Sequence, residues 1–426
     1  MEMPAPPGYS GSQMLLTSLI ACAPSSISLG GDDSPASTAD AQLIGDTAIE
    51  RAPGDTAGGG DTDPVDDPDL YDATVIWELS LDIGRDGWDE LSRDGTDYVD
   101  ATLGWDNRAW PVAIHIKGSS SWQPIEDKPS LVIDVDQMVP DQEFLGAKKF
   151  YLHNDCYDPS QMSETLSYGL YREWQFPASR TSFAHLTVNG RDYGLYTVVE
   201  PHNHDFLQEW FAEPDGNLYE NRDAYCDVTD VSCMEVEQDV EGGDEALERL
   251  GVAARARGAA WRPAVEPLLD WQRFIDALAL EITVVHWDSY SFDLSNYQLY
   301  HEPVADNWTL LTQSMDLDFG FRPWSYPSCG QYGMDIDKYT MGMLASSCHG
   351  DDSCKEELVG RVRDYADLLE AADGAARVRE LDALIGEAVK VDPRRYYDDG
   401  EYDEHIACLE QFFADRPAQL RAWAGG

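Results

Sequence analysis

Hydrophobic periodicity changes once along this 426-residue chain, and that change restricts the fold to one with its strands and helices segregated. Between Ala73 and Glu220 the apolar residues come in short alternating runs, the pattern of strands that bury one face. The runs are Ala73–Asp82, Ala101–Leu103, Trp110–Lys117, Ser130–Val135 and Lys148–His153, with a polar helix or turn near Gly87. Phe183–Val188 and Tyr193–Glu200 flank Asn189-Gly190, a dipeptide that specifies a tight hairpin. Asn217–Glu220 is expected to close this β-rich half. Its main helix should start at the Asp158-Pro-Ser160 cap pattern and carry Met162, Leu166, Leu170 and Tyr171 on one face. From about Gly242 the spacing becomes helical: Glu245–Arg257, Trp271–Val285, Glu356–Ala371, Ala376–Val389 and His405–Trp423. The stripe of Phe274, Leu278 and Ile282 reads as core.

Upstream of the fold, Ala23 to about Pro68 is Gly, Ser, Thr, Ala, Pro and Asp, which cannot bury a core and predicts a flexible acidic linker. Before it, the apolar run Met14–Ala21 ends at Cys22, a pattern that resembles a bacterial lipobox and predicts a lipid anchor on Cys22. No stretch has the ~18 apolar residues of a membrane helix. The expected partition is therefore a leader over 1–22, a linker over 23–70, and one domain over 71–426. Within that domain a β-rich part spans about 71–222 and a helical part about 240–426.

The net charge of −51 belongs mostly to the folded part. Residues 1–70 hold twelve acids and one Arg, a net of −11, which leaves −40 on the remainder. Such a surface excludes nucleic acid and anionic membrane as the main partner and fits a salty medium, bound cations or a basic protein. The cysteines form no CxxC pair, which argues against structural zinc. Cys226 with Cys233 and Cys348 with Cys354 are spaced to close short loops, so an oxidising compartment would give two disulfides there.

Helical runs on both sides bracket Val284–Phe321, where chemistry concentrates. Asp288 leaves an apolar segment, Asn296 opens a strand-like run, and a second apolar run delivers Asp316-Leu-Asp318-Phe-Gly320. Two oxygen-rich loops joined by a hairpin can seat a divalent cation and the phosphates it neutralises. Asp316 and Asp318, two apart in an extended segment, would point to one side. Upstream, Lys117-Gly118-Ser119-Ser120-Ser121 offers backbone and hydroxyl donors to phosphate, and Lys128 could reach the same anion as a point charge. Glu164 could pair with a lysine of the sheet or stand solvated. His286 reads as a packed or surface histidine, and no GxSxG string supports a hydrolase.

Taken in order, these pieces resemble the spore coat protein H (CotH) kinase family. The matching stretches are Asp97–Thr102, Ile114–Ser121 with Lys128, Lys148–Leu152, Asp158–Ser160, Phe176–Arg180, Val188–Tyr196 with Glu200, and Gly216–Glu220. Trp287-Asp288, Asn296–Tyr300, Asp316–Gly320 and Phe412–Pro417 complete the set. The resemblance implies an α+β, bilobal, atypical protein-kinase-like fold that uses ATP with Mg2+ or Mn2+ to phosphorylate Ser or Thr of a protein. It further implies that Lys128, with Lys117 as rival, is the phosphate lysine and that Gly118–Ser121 cover the phosphates. Glu164 would partner the lysine, and Glu200 would mark a strand edge near the adenine. Asp288 would position the acceptor hydroxyl; Asn296, Asp316 and Asp318 would bind metal. Asn296 lies eight residues after Asp288 rather than the five of ordinary kinases, so that loop must bulge. The competing reading is a non-catalytic surface module whose acidic loops bind Ca2+.

Overall fold

The computed structural model describes residues 68–221, 225–240, 242–315, 318–320 and 334–425. The leader, nearly all of the linker and Asp316 lie outside the described residues.

Alternation decides the first half. Strands β1 (Ile76–Ile83), β2 (Val99–Trp105), β3 (Arg108–Lys117), β4 (Ser130–Asp134), β5 (Lys149–His153), β6 (Thr181–Val188) and β7 (Arg191–Val199) close a barrel in the order β1-β2-β3-β4-β5-β7-β6. Every pair is antiparallel except β1 with β6. Leu79, Leu81 and Ile83 of β1, Val112, Ile114 and Ile116 of β3, and Leu131 and Ile133 of β4 fill one apolar core. Closure pairs both edges of the sheet, which removes the template an open edge would offer to other chains. Helix α1 (Arg85–Leu91) follows β1, and α2 (Ser163–Glu173) crosses from β5 and packs on β6.

The cap signal at Asp158 is real but acts one turn further on than the sequence pattern places it. The Asp158 carboxylate accepts from the backbone N–H of Met162 and Ser163 at 2.9 and 2.8 Å, and the helix starts at Ser163.

Helix α3 (His204–Trp210) precedes a second sheet, ordered β11-β10-β8-β9, built from β8 (Asn217–Asn221), β9 (Met234–Gln238), β10 (Tyr297–Glu302) and β11 (Asn307–Thr312). Asn217–Glu220 therefore does not close the first half, because β8 pairs antiparallel with β10 from the region of the acidic loops. Around this sheet lie α4 (Gly243–Ala254), α5 (Trp261–Val265), α6 (Trp271–Val284), α7 (Met343–Gly350), α8 (Asp352–Ala371), α9 (Gly374–Val391) and α10 (Asp399–Trp423). Every residue of α6 from Phe274 to Val284 is buried, so α6 is the axis of the helical part. It packs on α8, α8 and α9 pack on α10, and α9 returns to touch β7.

Cys226–Cys233 and Cys348–Cys354 are disulfides, as their spacing predicted. They point to an oxidising, extracytoplasmic compartment. No helix among the described residues is long and apolar enough to cross a membrane.

Candidate active site

The site is launched from the C-terminus of α6. The last carbonyls of a helix lack intrahelical partners, and here Arg416 of α10 donates to those of Ile282 and Thr283. Burial pulls the Arg416 guanidinium down to about 10 while Tyr339 opposes the fall, so it stays cationic at the negative end of the helix dipole. Val285 then turns left-handed, with φ 60°, and the His286 N–H bonds back to the Glu281 carbonyl at 2.9 Å. Glu281 is buried and ties the outgoing loop to the helix: its carboxylate accepts from the Ser289 hydroxyl at 3.0 Å, the Ser291 N–H at 3.1 Å and the Ser291 hydroxyl.

This loop brings the predicted residues together. Asn296 Nδ2 donates to the Asp288 carboxylate at 2.7 Å and to its carbonyl at 3.1 Å. The eight-residue spacing is thus closed by a bulged loop. Burial raises the Asp288 pKa, while His286 and Asn296 restrain the rise. Two residues upstream, His286 is fully buried with Nδ1 2.6 Å from Asp318 Oδ1. The contact is short but not well aligned as a hydrogen bond among the described residues. Burial alone would lower the His286 pKa, but Asp318, Glu281 and Asp288 outweigh it and hold it above its ordinary value. Burial pushes Asp318 up against the pull of His286, and the nearby Glu164 adds to the rise.

Part of the backbone strain lies at the same place. Val285, Leu294, Asn296, Ser314 and Phe319 all have φ between 46° and 61°. For non-glycine residues this conformation costs energy and persists only where the surroundings enforce it. Phe319 is held by its N–H to the Val284 carbonyl at 2.7 Å and by ring contacts to Phe412 and Phe413 of α10.

The barrel contributes the other wall. Lys117 pairs with Ser130 across β3 and β4, and continuing the β4–β5 register by one residue sets His153 beside Ser130 in the same row. Lys117 Nζ meets His153 Nε2 at 3.0 Å, and His153 Nδ1 meets Glu164 Oε2 of α2 at 2.6 Å. Tyr151, two residues before His153 and on the same face, lies under the Lys117 ammonium at 4.2 Å. Beyond Lys117 the loop Gly118–Ser120 is exposed, with Ser121 half-buried. Tyr157 and the Asn154 amide fix the carbonyls of Ser120 and Ser121 at 2.8 and 3.1 Å. Gly118 has φ 108°, and a Cβ there would press on the Ser121 hydroxyl.

Two predicted residues are placed differently from the rest. Lys128 does not reach Glu164: it is 1% exposed and ion-paired to Asp392 Oδ2 at 2.7 Å. Asp392 follows α9 and also accepts from the N–H groups of Leu195 and Arg394. Gly194 makes room for it, since a Cβ would overlap the carboxylate. Glu200 stands at the end of β7, where its carboxylate is taken by the Arg180 N–H at 3.0 Å and guanidinium at 2.7 Å. Motif reading misses His153 and Asp392 outright, and although it includes Arg416 it does not show that Arg416 caps α6. The alternation of Lys149-Phe-Tyr-Leu-His153 could have flagged His153 as a face-mate of Tyr151; the other two depend on contacts across more than a hundred residues.

A hard cation suits the donor set. The buried Ser167 hydroxyl and Asp318 carboxylate lie beside each other, Glu164 Oε1 is buried without an aligned hydrogen-bond partner among the described residues, and oxygen donors are what Mg2+, Mn2+ and Ca2+ take. Among the described residues no three His, Cys, Asp or Glu already form a metal-ligand cluster.

The family model described as "CotH kinase protein" matches residues 114–420, which contain every site residue named above. No curated protein matches the chain. Matched from within β3 to within α10, this chain belongs to the CotH kinase family.

Proposed function

We propose that this chain is an atypical protein kinase that transfers the γ-phosphoryl group of ATP to Ser or Thr hydroxyls of a secreted or surface protein, on a bilobal kinase-like fold. The observation that carries this reading is the convergence of Asp288–Asn296, His286–Asp318 and Lys117–His153–Glu164, with Glu164 near enough to raise the Asp318 pKa. Phosphoryl transfer needs positioning and charge neutralisation more than covalent chemistry. Asp288 orients the acceptor hydroxyl and takes its proton as the new O–P bond forms and the bond to the ADP oxygen breaks. Its raised pKa makes it a stronger base than an ordinary carboxylate.

The Asn296 amide nitrogen is used by Asp288, which leaves its carbonyl oxygen to a cation. Asn296, Asp318 and, from its sequence position, Asp316 would hold Mg2+ or Mn2+, which when bound neutralises the transferring phosphate. Lys117 and the exposed donors of Gly118–Ser121 receive the phosphates, in place of Lys128. With its carboxylate held by Arg180, Glu200 is not free to take the adenine through its side chain. The acidic surface favours a basic acceptor, and a lipid on Cys22 would tether the domain outside the cell.

The test is transfer of labelled γ-phosphate by the full chain with Mg2+ or Mn2+, with itself and a basic Ser-rich protein as acceptors. Asp288→Ala should lower kcat by about 10²–10⁴-fold with nucleotide binding retained. No label incorporation and no nucleotide-induced rise in Tm would sink the kinase reading in favour of a Ca2+-binding surface module.

A further inference from the structure

In ordinary protein kinases the phosphate lysine and a helix glutamate form a direct ion pair. Here a histidine stands between them. We propose that His153 is a positioning residue that couples the Lys117 ammonium to α2 through its two ring nitrogens, so that the phosphate lysine is oriented by Glu164 at one remove. The proposal rests on the kinase reading above and deepens it at the nucleotide end of the site.

The donor and acceptor inventory permits one arrangement. An ammonium only donates, so Nε2 must offer its lone pair to Lys117; an ionised carboxylate only accepts, so Nδ1 must carry the proton donated to Glu164. His153 is therefore the neutral Nδ1–H tautomer. Burial, with Lys117 beside it, holds its pKa below the ordinary value against the pull of Glu164. The ring is not free to turn: it lies parallel to Tyr151, 8° between planes and 5.9 Å between centroids, and the same tyrosine ring supports Lys117. Glu164 bonds His153 through Oε2, while its other oxygen has no hydrogen-bond partner among the described residues and its charge raises the Asp318 pKa. One unbroken line of polar contacts thus runs from the lysine on β3 to α2, whose glutamate acts on Asp318 of the opposite wall.

Two variants of the full chain separate positioning from packing. His153→Phe keeps a ring on Tyr151 but has no nitrogen; His153→Gln restores one acceptor and one donor. Losing a charge-assisted hydrogen bond to the lysine should raise the KM for ATP about 10- to 100-fold in His153→Phe, with a smaller fall in kcat. His153→Gln should recover most of that loss. A purely structural role would lower Tm in both variants and leave the KM for ATP unchanged, which overturns the proposal. A second readout does not depend on activity: nitrogen NMR of histidine-labelled protein, assigned by the signals lost in His153→Phe, should show Nδ1 protonated and Nε2 bare. A protonated Nε2 overturns the proposal even in an active kinase. A wild-type chain that neither binds nor hydrolyses nor transfers nucleotide overturns both this proposal and the kinase reading.

Discussion

Lys117 and Lys128 leave the same β3–β4 region and reach different environments. Lys117 is half-buried at the mouth of an exposed Gly/Ser loop, whereas Lys128 is enclosed with Asp392. Removing one member of a buried ion pair leaves the other charged and unpaired, at a cost of about 3–5 kcal/mol. Lys128→Met should therefore lower the denaturant midpoint sharply, and activity should follow the folded fraction. Lys117→Met should leave stability within about 1 kcal/mol of wild type and raise the KM for ATP. Comparison of urea melts with ATP titrations of the two variants checks this, and the reverse pattern would return the phosphate role to Lys128. In sequence Lys128 is the first candidate for the phosphate lysine and Lys117 its rival, since both lie close to the loop that offers phosphate donors. Only the 2.7 Å contact with a residue 264 positions away separates them.

At the scale of elements, the site depends on how two helices end and begin. The Phe412–Pro417 stretch lies far from the acidic loops in sequence, yet Arg416 caps α6 and Phe412 with Phe413 clamps Phe319. Arg416→Met would orphan two carbonyls where the loop to Asp288 departs, costing about 2–4 kcal/mol. Hydrogen exchange should then speed first at residues 282–296.

The start of α2 rests on Asp158. Burial would raise its pKa, but His405, Ser160 and the Ser163 N–H outweigh that and hold it below the ordinary value. A depressed folded-state pKa contributes stability that is present above the unfolded value of about 3.9 and is lost as pH falls through the folded one. Asp158→Asn should therefore lower Tm at neutral pH and flatten the decline of Tm on the acid side of about pH 4. Parallel Tm-against-pH curves for wild type and variant would contradict this.

Across the whole molecule, a net charge of −51 places self-repulsion against the packed cores. Salt screens such repulsion over a Debye length of about 8–10 Å, so Tm should rise with NaCl through the first few tenths molar; a flat or falling Tm would contradict the charge argument. Reduction of the short-loop disulfides, separated by 7 and 6 residues, should cost about 2 kcal/mol each. The seven barrel strands, the long helices, the Asn189-Gly190 hairpin and the Cys226–Cys233 and Cys348–Cys354 disulfides were legible in sequence, because each follows from local period, turn chemistry or short spacing, whereas β9 and the short helices α3, α5 and α7 were not. The transfer of Asn217–Asn221 into the second sheet was not, because a strand's partner is chosen by non-local packing. Nor was the engagement of Lys128 by Asp392, of Glu200 by Arg180, or of Glu164 through His153. Residue type and position establish which charges a chain carries, but which opposite charge each one meets is decided when the barrel and helices pack, since a buried ion must be paired with whatever the tertiary structure brings within reach.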